Sequence, residues 1–312
     1  MLKDRILLTI RFFDLQDIPL TLLEIHRFLI GDIQQINLSQ DERWELYSDI
    51  SEKSLAEFVS LAEVLICLNS ECQGSLVSVY GYYSLPGREA ISVERWKNYT
   101  FAIFRERRLK RFVPLLRHLP FLRGVALGGS QSVGQSKVGS DIDLFVIVEP
   151  GFLWLTRTCV SFYFQILGLR RHGKRVANRF CLNHYVAGAK AVGREKNLYK
   201  AMEYVRLRPL VYSQGISEFL NSNLGWIKIF MPNWETEQRV EEQSWVQKFL
   251  EKLLNNFLGR SLDKFLGFFQ KIKIRQDEFT FVLPDELSFH PHSQHRELLA
   301  KFFNPEHTHR HL

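Results

Sequence analysis

Gly128-Gly129-Ser130-Gln131-Ser132-Val133-Gly134-Gln135-Ser136-Lys137-Val138-Gly139-Ser140-Asp141-Ile142-Asp143-Leu144-Phe145-Val146-Ile147-Val148 is the stretch on which the reading of this chain turns. A glycine pair after the apolar run Gly124-Val125-Ala126-Leu127 lets the backbone turn tightly and come close to a ligand. Ser130 adds a hydroxyl where a phosphate oxygen fits, and backbone amides in such a turn attract anions. Asp141 and Asp143 then open a strongly apolar segment, Ile142 to Val148, that reads as a strand. Side chains two apart on a strand point to one face, so both carboxylates project together while Ile142 turns into a core. Neighbouring carboxylates repel unless a cation lies between them. Hard oxygen ligands select Mg²⁺ or Mn²⁺, ions that neutralise triphosphate oxygens and activate an attacking hydroxyl. Ser140 and Lys137 lie between the turn and the aspartates, within reach of phosphate, although a plain exposed lysine accounts for Lys137 equally well. The competing description is a solvated strand end with Ser140 and Asp141 as turn residues. The glycine turn upstream and the apolar strand downstream weigh against it.

A Gly-Gly-Ser turn, about ten intervening residues and D-x-D at the start of a strand together resemble the signature of the nucleotidyltransferase superfamily typified by DNA polymerase β. The match covers Gly128 to Asp143, and the order of strands and helices fits from about 118 to 190. The resemblance implies a metal-dependent transfer of a nucleoside monophosphate from a nucleoside triphosphate to a hydroxyl. It implies that Gly128, Gly129 and Ser130 cradle the triphosphate and that Asp141 and Asp143 hold the metal. It does not name the acceptor, for which RNA and protein are both candidates.

The same resemblance implies a third carboxylate on a later strand. The matching segment, Arg179-Phe180-Cys181-Leu182-Asn183-His184-Tyr185-Val186, contains no Asp or Glu. Regular alternation puts Asn183 and His184 on opposite faces, and Asn183 takes the equivalent place. Its amide binds Mg²⁺ more weakly than a carboxylate and is no general base. Glu203, on the following helix, is the substitute. A catalytically degenerate nucleotide- or RNA-binding module is therefore the alternative to an enzyme.

Outward from this core, residues 1–97 read as a winged-helix-like unit of three helices and a hairpin. The expected elements are a helix around Leu7 to Phe12, one opening at a Thr21/Glu24 capping box, one opening at a Ser54/Glu57 box and running to Leu68, and strands at Leu76–Tyr80 and Ala90–Val93. The Ser54–Leu68 helix carries Glu57 and Glu63 and no Arg or Lys, which argues against a DNA-binding regulator. Residues 98–117 form a basic connecting helix with Arg105, Arg107, Arg108, Lys110, Arg111 and Arg117 against Glu106, read as a solvated connector or a phosphate-binding face. Residues 118–232 hold the nucleotidyltransferase core: a small sheet with strands at Gly124–Leu127, Ile142–Val148 and Phe180–Ala187, a buried helix from Phe152 to Leu169, and a helical 196–222. Residues 233–312 form a helical extension, helical over 236–272, and a polar tail. The expected class is thus mixed α and β, a small sheet flanked by helices between a helical front and a helical end.

The chain has 312 residues, enough for about two domains, and is 46% hydrophobic and 24% charged, so it is no disordered chain. Its net charge of +7 favours polyanionic partners, as does the cluster Arg170, Arg171, Lys174, Arg175 and Arg179, though a mildly basic soluble protein with a solvated loop fits as well. Four cysteines, none in a CxxC pair, point to inert core thiols in a reducing cytosol. The first residues lack the apolar core of a secretion signal, and Arg157 and Gln165 interrupt the most apolar helix. The chain is thus expected to be cytoplasmic, with no membrane partner. Gly129 to Ser136 misses a P-loop, since Gln135 stands where its lysine belongs. The histidines from His290 to His311 read as a solvated tail.

Overall fold

Helix α1 (Leu2–Asp14) buries Ile6, Ile10 and Phe13, the spacing of one helical face, with Phe12 beside them. A computed structural model describes residues 1–33, 57–135, 137, 139–173, 175–191, 196–236, 240–274, 281–289 and 292–303. Helix α2 (Leu22–Arg27) opens as expected: Thr21 Oγ1 accepts from the Glu24 amide, and Glu24 Oε2 accepts from the Thr21 amide at 2.8 Å. Helix α3 (Leu61–Asn69) opens at a different box, with Ser60 and Glu63 exchanging the same two bonds. Ser54 lies outside the described residues, and Glu57 is not helical.

Strands β1 (Val77–Val79) and β2 (Tyr82–Ser84) are joined by Tyr80 and Gly81, both at positive φ (53° and 78°), the requirement of a two-residue I′ turn. That turn brings the return strand in at once. Ala90–Val93, expected as the partner strand, instead belongs to helix α4 (Glu89–Lys97). Leu20 bridges Tyr83 and adds a third short edge to the hairpin. Helix α5 (Tyr99–Phe112) follows.

The remaining elements build one mixed sheet. They are β3 (Leu122–Leu127), β4 (Ile142–Val148), α6 (Leu153–Ile166), β5 (Phe180–Ala187), α7 (Leu198–Val205), β6 (Arg208–Val211), α8 (Ser213–Ser222), α9 (Leu224–Phe230), α10 (Trp245–Leu254), α11 (Phe257–Lys273), β7 (Phe281–Val282), β8 (Glu286–Ser288) and α12 (His292–Phe303). The strand order is β6-β3-β4-β5-β8-β7, with β4 and β5 parallel and every other pair antiparallel. Four elements here depart from the expected layout, β6, β7, β8 and α12. Residues 208–211, read as helical, form edge strand β6, where Pro209 costs the sheet no central donor. Residues 281–288 extend the sheet beyond β5. The expected polar tail contains α12, whose Leu299 and Phe302 are buried, with Phe302 edge-on to Phe12 at 5.2 Å.

Alternation along β4 sorts the two faces. Ile142, Leu144, Val146 and Val148 join a core with α6 residues Val160 and Phe164. Phe145 and Ile147 point the other way, into a core shared by α1, α2, α3, α7, α8, α9 and α12. The N-terminal helices and the sheet therefore share one apolar interior. No described helix is long and apolar enough to cross a membrane.

Candidate metal centre

The face of β4 that buries Phe145 and Ile147 continues, toward the start of the strand, into Asp143 and then Asp141. Both acids are half-buried there, while Ile142 is fully buried on the opposite side, as the period of two requires. Among the described residues, one group of possible metal donors emerges: a carboxylate oxygen of Asp141, one of Asp143 and Cys181 Sγ all lie within 4.8 Å of one another.

The glycine turn lies directly against these acids. The Gly128 amide donates to the Asp143 carbonyl at 3.0 Å. Gln131 Nε2 donates to the Asp141 carbonyl at 2.9 Å. Gly129 has φ 64° and ψ −164°, a combination that glycine alone adopts readily. A Cβ at Gly129 would lie 2.5 Å from Asp143 Oδ2. Its missing side chain is what lets the carboxylate rest on the turn.

At the third position the described residues offer a thiol. Asp143 pairs with Cys181 on β5, yet Phe145 pairs with His184, so β5 carries one extra residue across Leu182 and Asn183. Cys181, just before this bulge, faces the acids. The Asn183 side chain, expected in that place, lies outside the described residues. Cys181 was expected to be an inert core thiol, although it stands two residues before Asn183, on the face that alternation assigns to Asn183. Burial first, then the charges of Asp143 and Asp141, push its thiol up to about 12. Glu203 is not in the group; its carboxylate pairs with Lys200 Nζ at 2.7 Å. Burial first, then the charge of Glu203, push the hydroxyl of Tyr199 up to about 12.

Arg171 closes the group from outside. Its Nη1 lies 2.6 Å from Asp141 Oδ2 and 3.4 Å from Cys181 Sγ. Its side chain is 46% exposed, so the guanidinium stands at the mouth of the site. One member of the basic cluster thus has a defined partner; Lys174 lies outside the described residues.

The loop between turn and aspartates is fixed from the N-terminal side. Arg105, only 1% exposed, donates to the Lys137 and Ser140 carbonyls, to Ser140 Oγ and to Asn178 Oδ1 at 2.6–2.8 Å. The connecting helix therefore spends this cation on structure, neither solvated nor facing phosphate. Ser140 Oγ also donates to the Lys137 carbonyl. Lys137 Nζ lies 3.4 Å from Asp17, and Gln135 Nε2 donates to the Asp17 carbonyl. Arg95 bridges the Val133 carbonyl to Glu24 of the α2 capping box. Ser140 and Lys137 are thus occupied within the loop and its docking surface.

A cleft of about 490 Å³ is lined by Arg27, Ser132, Arg206, Arg208 and Trp234 among others. None of Asp141, Asp143 or Cys181 lines it.

No protein-family model matches this chain, and no significant match to a curated protein or a solved structure was found.

Proposed function

We propose that this chain is a metal-dependent nucleotidyltransferase that moves a nucleoside monophosphate from a nucleoside triphosphate to a hydroxyl acceptor. The observation that carries the proposal is the seating of the Asp143 carboxylate on Gly129 with Asp141 beside it. Two carboxylates held this close, one of them resting on a glycine, form a ready divalent-cation site. A bound divalent cation supplies neutralisation of triphosphate oxygens and a lowered pKa for the attacking hydroxyl. Asp141 and Asp143 would hold it, and the thiol of Cys181 suits Mn²⁺ better than Mg²⁺, which takes oxygen ligands. Gly128, Gly129 and Ser130 would line the triphosphate's path. Arg171 would leave Asp141 when the cation enters and would then face phosphate charge.

A second reading is a nucleotide- or RNA-binding module without transfer. Cys181 favours it: β5 brings a neutral thiol to the place where a carboxylate would accept the hydroxyl proton. One experiment separates the two. Each labelled nucleoside triphosphate is incubated with Mg²⁺ or Mn²⁺ and cell extract, with wild type and an Asp141→Asn/Asp143→Asn variant. Label transfer lost in the variant supports the enzyme. Metal-dependent nucleotide binding without transfer supports the module. Neither transfer nor binding removes both.

A further inference from the structure

Helices α10 and α11 are built inside out. Their inward faces are largely small or polar, with Leu254 and Leu266 as the apolar exceptions. Gln247 is fully buried, donating to the Leu122 carbonyl and accepting from Tyr212. Glu251 pairs with Arg123, and Asp263 accepts from the Leu155 amide at 2.7 Å. Gly267 lies so close to α6 that a Cβ would come within 2.7 Å of Trp154. The outward faces are apolar. On α10 they carry Trp245, Phe249 and Leu253, at intervals of four. On α11 they carry Phe257, Leu258, Phe265, Phe268, Phe269 and Ile272, with Trp245 78%, Phe257 82% and Ile272 68% exposed. Phe265 and Phe268 each meet Phe269 edge-on, an aromatic cluster facing solvent. Phe162 and Ile166 of α6 are also exposed. Lone exposed apolar residues are ordinary, but a helix whose whole apolar stripe faces outward is not.

The charges on these helices select the occupant. Lys248, Lys252, Arg260, Lys264, Lys271 and Lys273 are all exposed, whereas both acids, Glu251 and Asp263, turn inward to partners. With 3.6 residues per turn, Lys248 and Lys252 on α10, and Arg260, Lys264 and Lys271 on α11, run along one flank of the apolar stripe. A second copy seated on this face would set basic flank against basic flank, because a two-fold contact pairs a surface with itself. The stripe carries almost no hydrogen-bonding group with which to fix one protein partner; Ser261 interrupts it. Aromatic and aliphatic side chains edged by lysines, with no exposed acid, match a bilayer interface with anionic headgroups.

We infer that α10 and α11 lie on an anionic membrane surface, with the aromatic stripe inserted and the lysine flank among the headgroups. Lying on a bilayer is distinct from crossing one, which no described helix could do. The inference does not depend on the nucleotidyltransferase reading. The test is flotation of the full chain with phosphatidylcholine vesicles, with and without phosphatidylserine. Wild type floats with the phosphatidylserine vesicles roughly tenfold better than with the neutral ones, and added salt weakens the difference. Phe265→Glu/Phe269→Glu abolishes flotation on both vesicles. Lys248→Glu/Lys252→Glu/Lys264→Glu abolishes the preference for phosphatidylserine. All substituted side chains are exposed, and an unchanged thermal melt confirms folding of each variant. Wild type that floats with neither vesicle overturns the inference. So does a Phe265→Glu/Phe269→Glu variant that floats normally, or sedimentation showing a wild-type dimer that this variant dissolves.

Discussion

Asp143 Oδ2 rests 2.5 Å from the point where a Cβ on Gly129 would stand. Gly129→Ala therefore meets two obstacles, a backbone conformation that only glycine tolerates and a carboxylate in the way. We expect a loss of about 1–3 kcal/mol in unfolding free energy and at least tenfold weaker Mn²⁺ binding, because Asp143 must move. Gly128→Ala is the control: its Cβ would meet only Leu207, at 3.8 Å, and positive φ is not required there. Chemical denaturation and Mn²⁺ titration of both variants check the contrast; equal effects at the two positions would refute it.

Arg105→Ala removes a buried cation from four acceptors, the Lys137 and Ser140 carbonyls, Ser140 Oγ and Asn178 Oδ1, of which the two carbonyls keep other donors. A cost of about 3 kcal/mol is expected in urea denaturation. Arg105→Lys should recover less than half of it, because one ammonium cannot span acceptors that a planar guanidinium reaches at once. Full recovery by lysine would show that charge alone is needed there.

In the proposed site Arg171 would compete with a cation for Asp141 and Cys181. Arg171→Gln removes the competitor and should tighten Mn²⁺ binding several-fold, read by calorimetry, while barely moving the thermal midpoint, since half-exposed ion pairs add under about 1 kcal/mol. Weaker Mn²⁺ binding in Arg171→Gln would mean that the guanidinium supports the site.

The raised thiol of Cys181 has a consequence at alkaline pH. Its value moves from 9.0 in the unfolded chain to about 12 in the folded one, so between these values the folded state binds more protons. Stability is then fully present below pH 9 and falls as pH rises toward 12, by up to about 1.4 kcal/mol per pH unit for this group. Cys181→Ser lacks that titration. The stability difference between wild type and Cys181→Ser, measured by denaturation from pH 8 to 10.5, should shift toward the variant as pH rises. A difference that stays flat would place the thiol near its ordinary value.

The turn and the first acidic pair were legible because their signals are local. A glycine pair, a D-x-D and a strand of six apolar residues occupy one short window, and the bounds of β4 and β5 follow from composition alone. Thr21 and Glu24 announced α2 for the same reason. What escaped depends on distant parts of the chain. The bulge at Leu182–Asn183, in a strand flanked by β4 on one side and β8 on the other, has no local signal in the sequence. Arg105 reads like any surface arginine until its helix docks over the 137–140 loop. Strands β6, β7 and β8 are too short to show a period of two, and each is held by a longer neighbour.

His184 and Glu286 meet across the β5–β8 pair although 102 positions separate them, and Phe302 of α12 covers Phe12 of α1. During synthesis α1 leaves the ribosome well before α12, its lid. Until β8 and α12 emerge, one edge of the sheet and one side of the leading helices stay uncovered. The nascent chain must keep these sticky surfaces apart while the intervening elements are made, so the arrival of α12, more than any local segment, is the event that commits it to the native state.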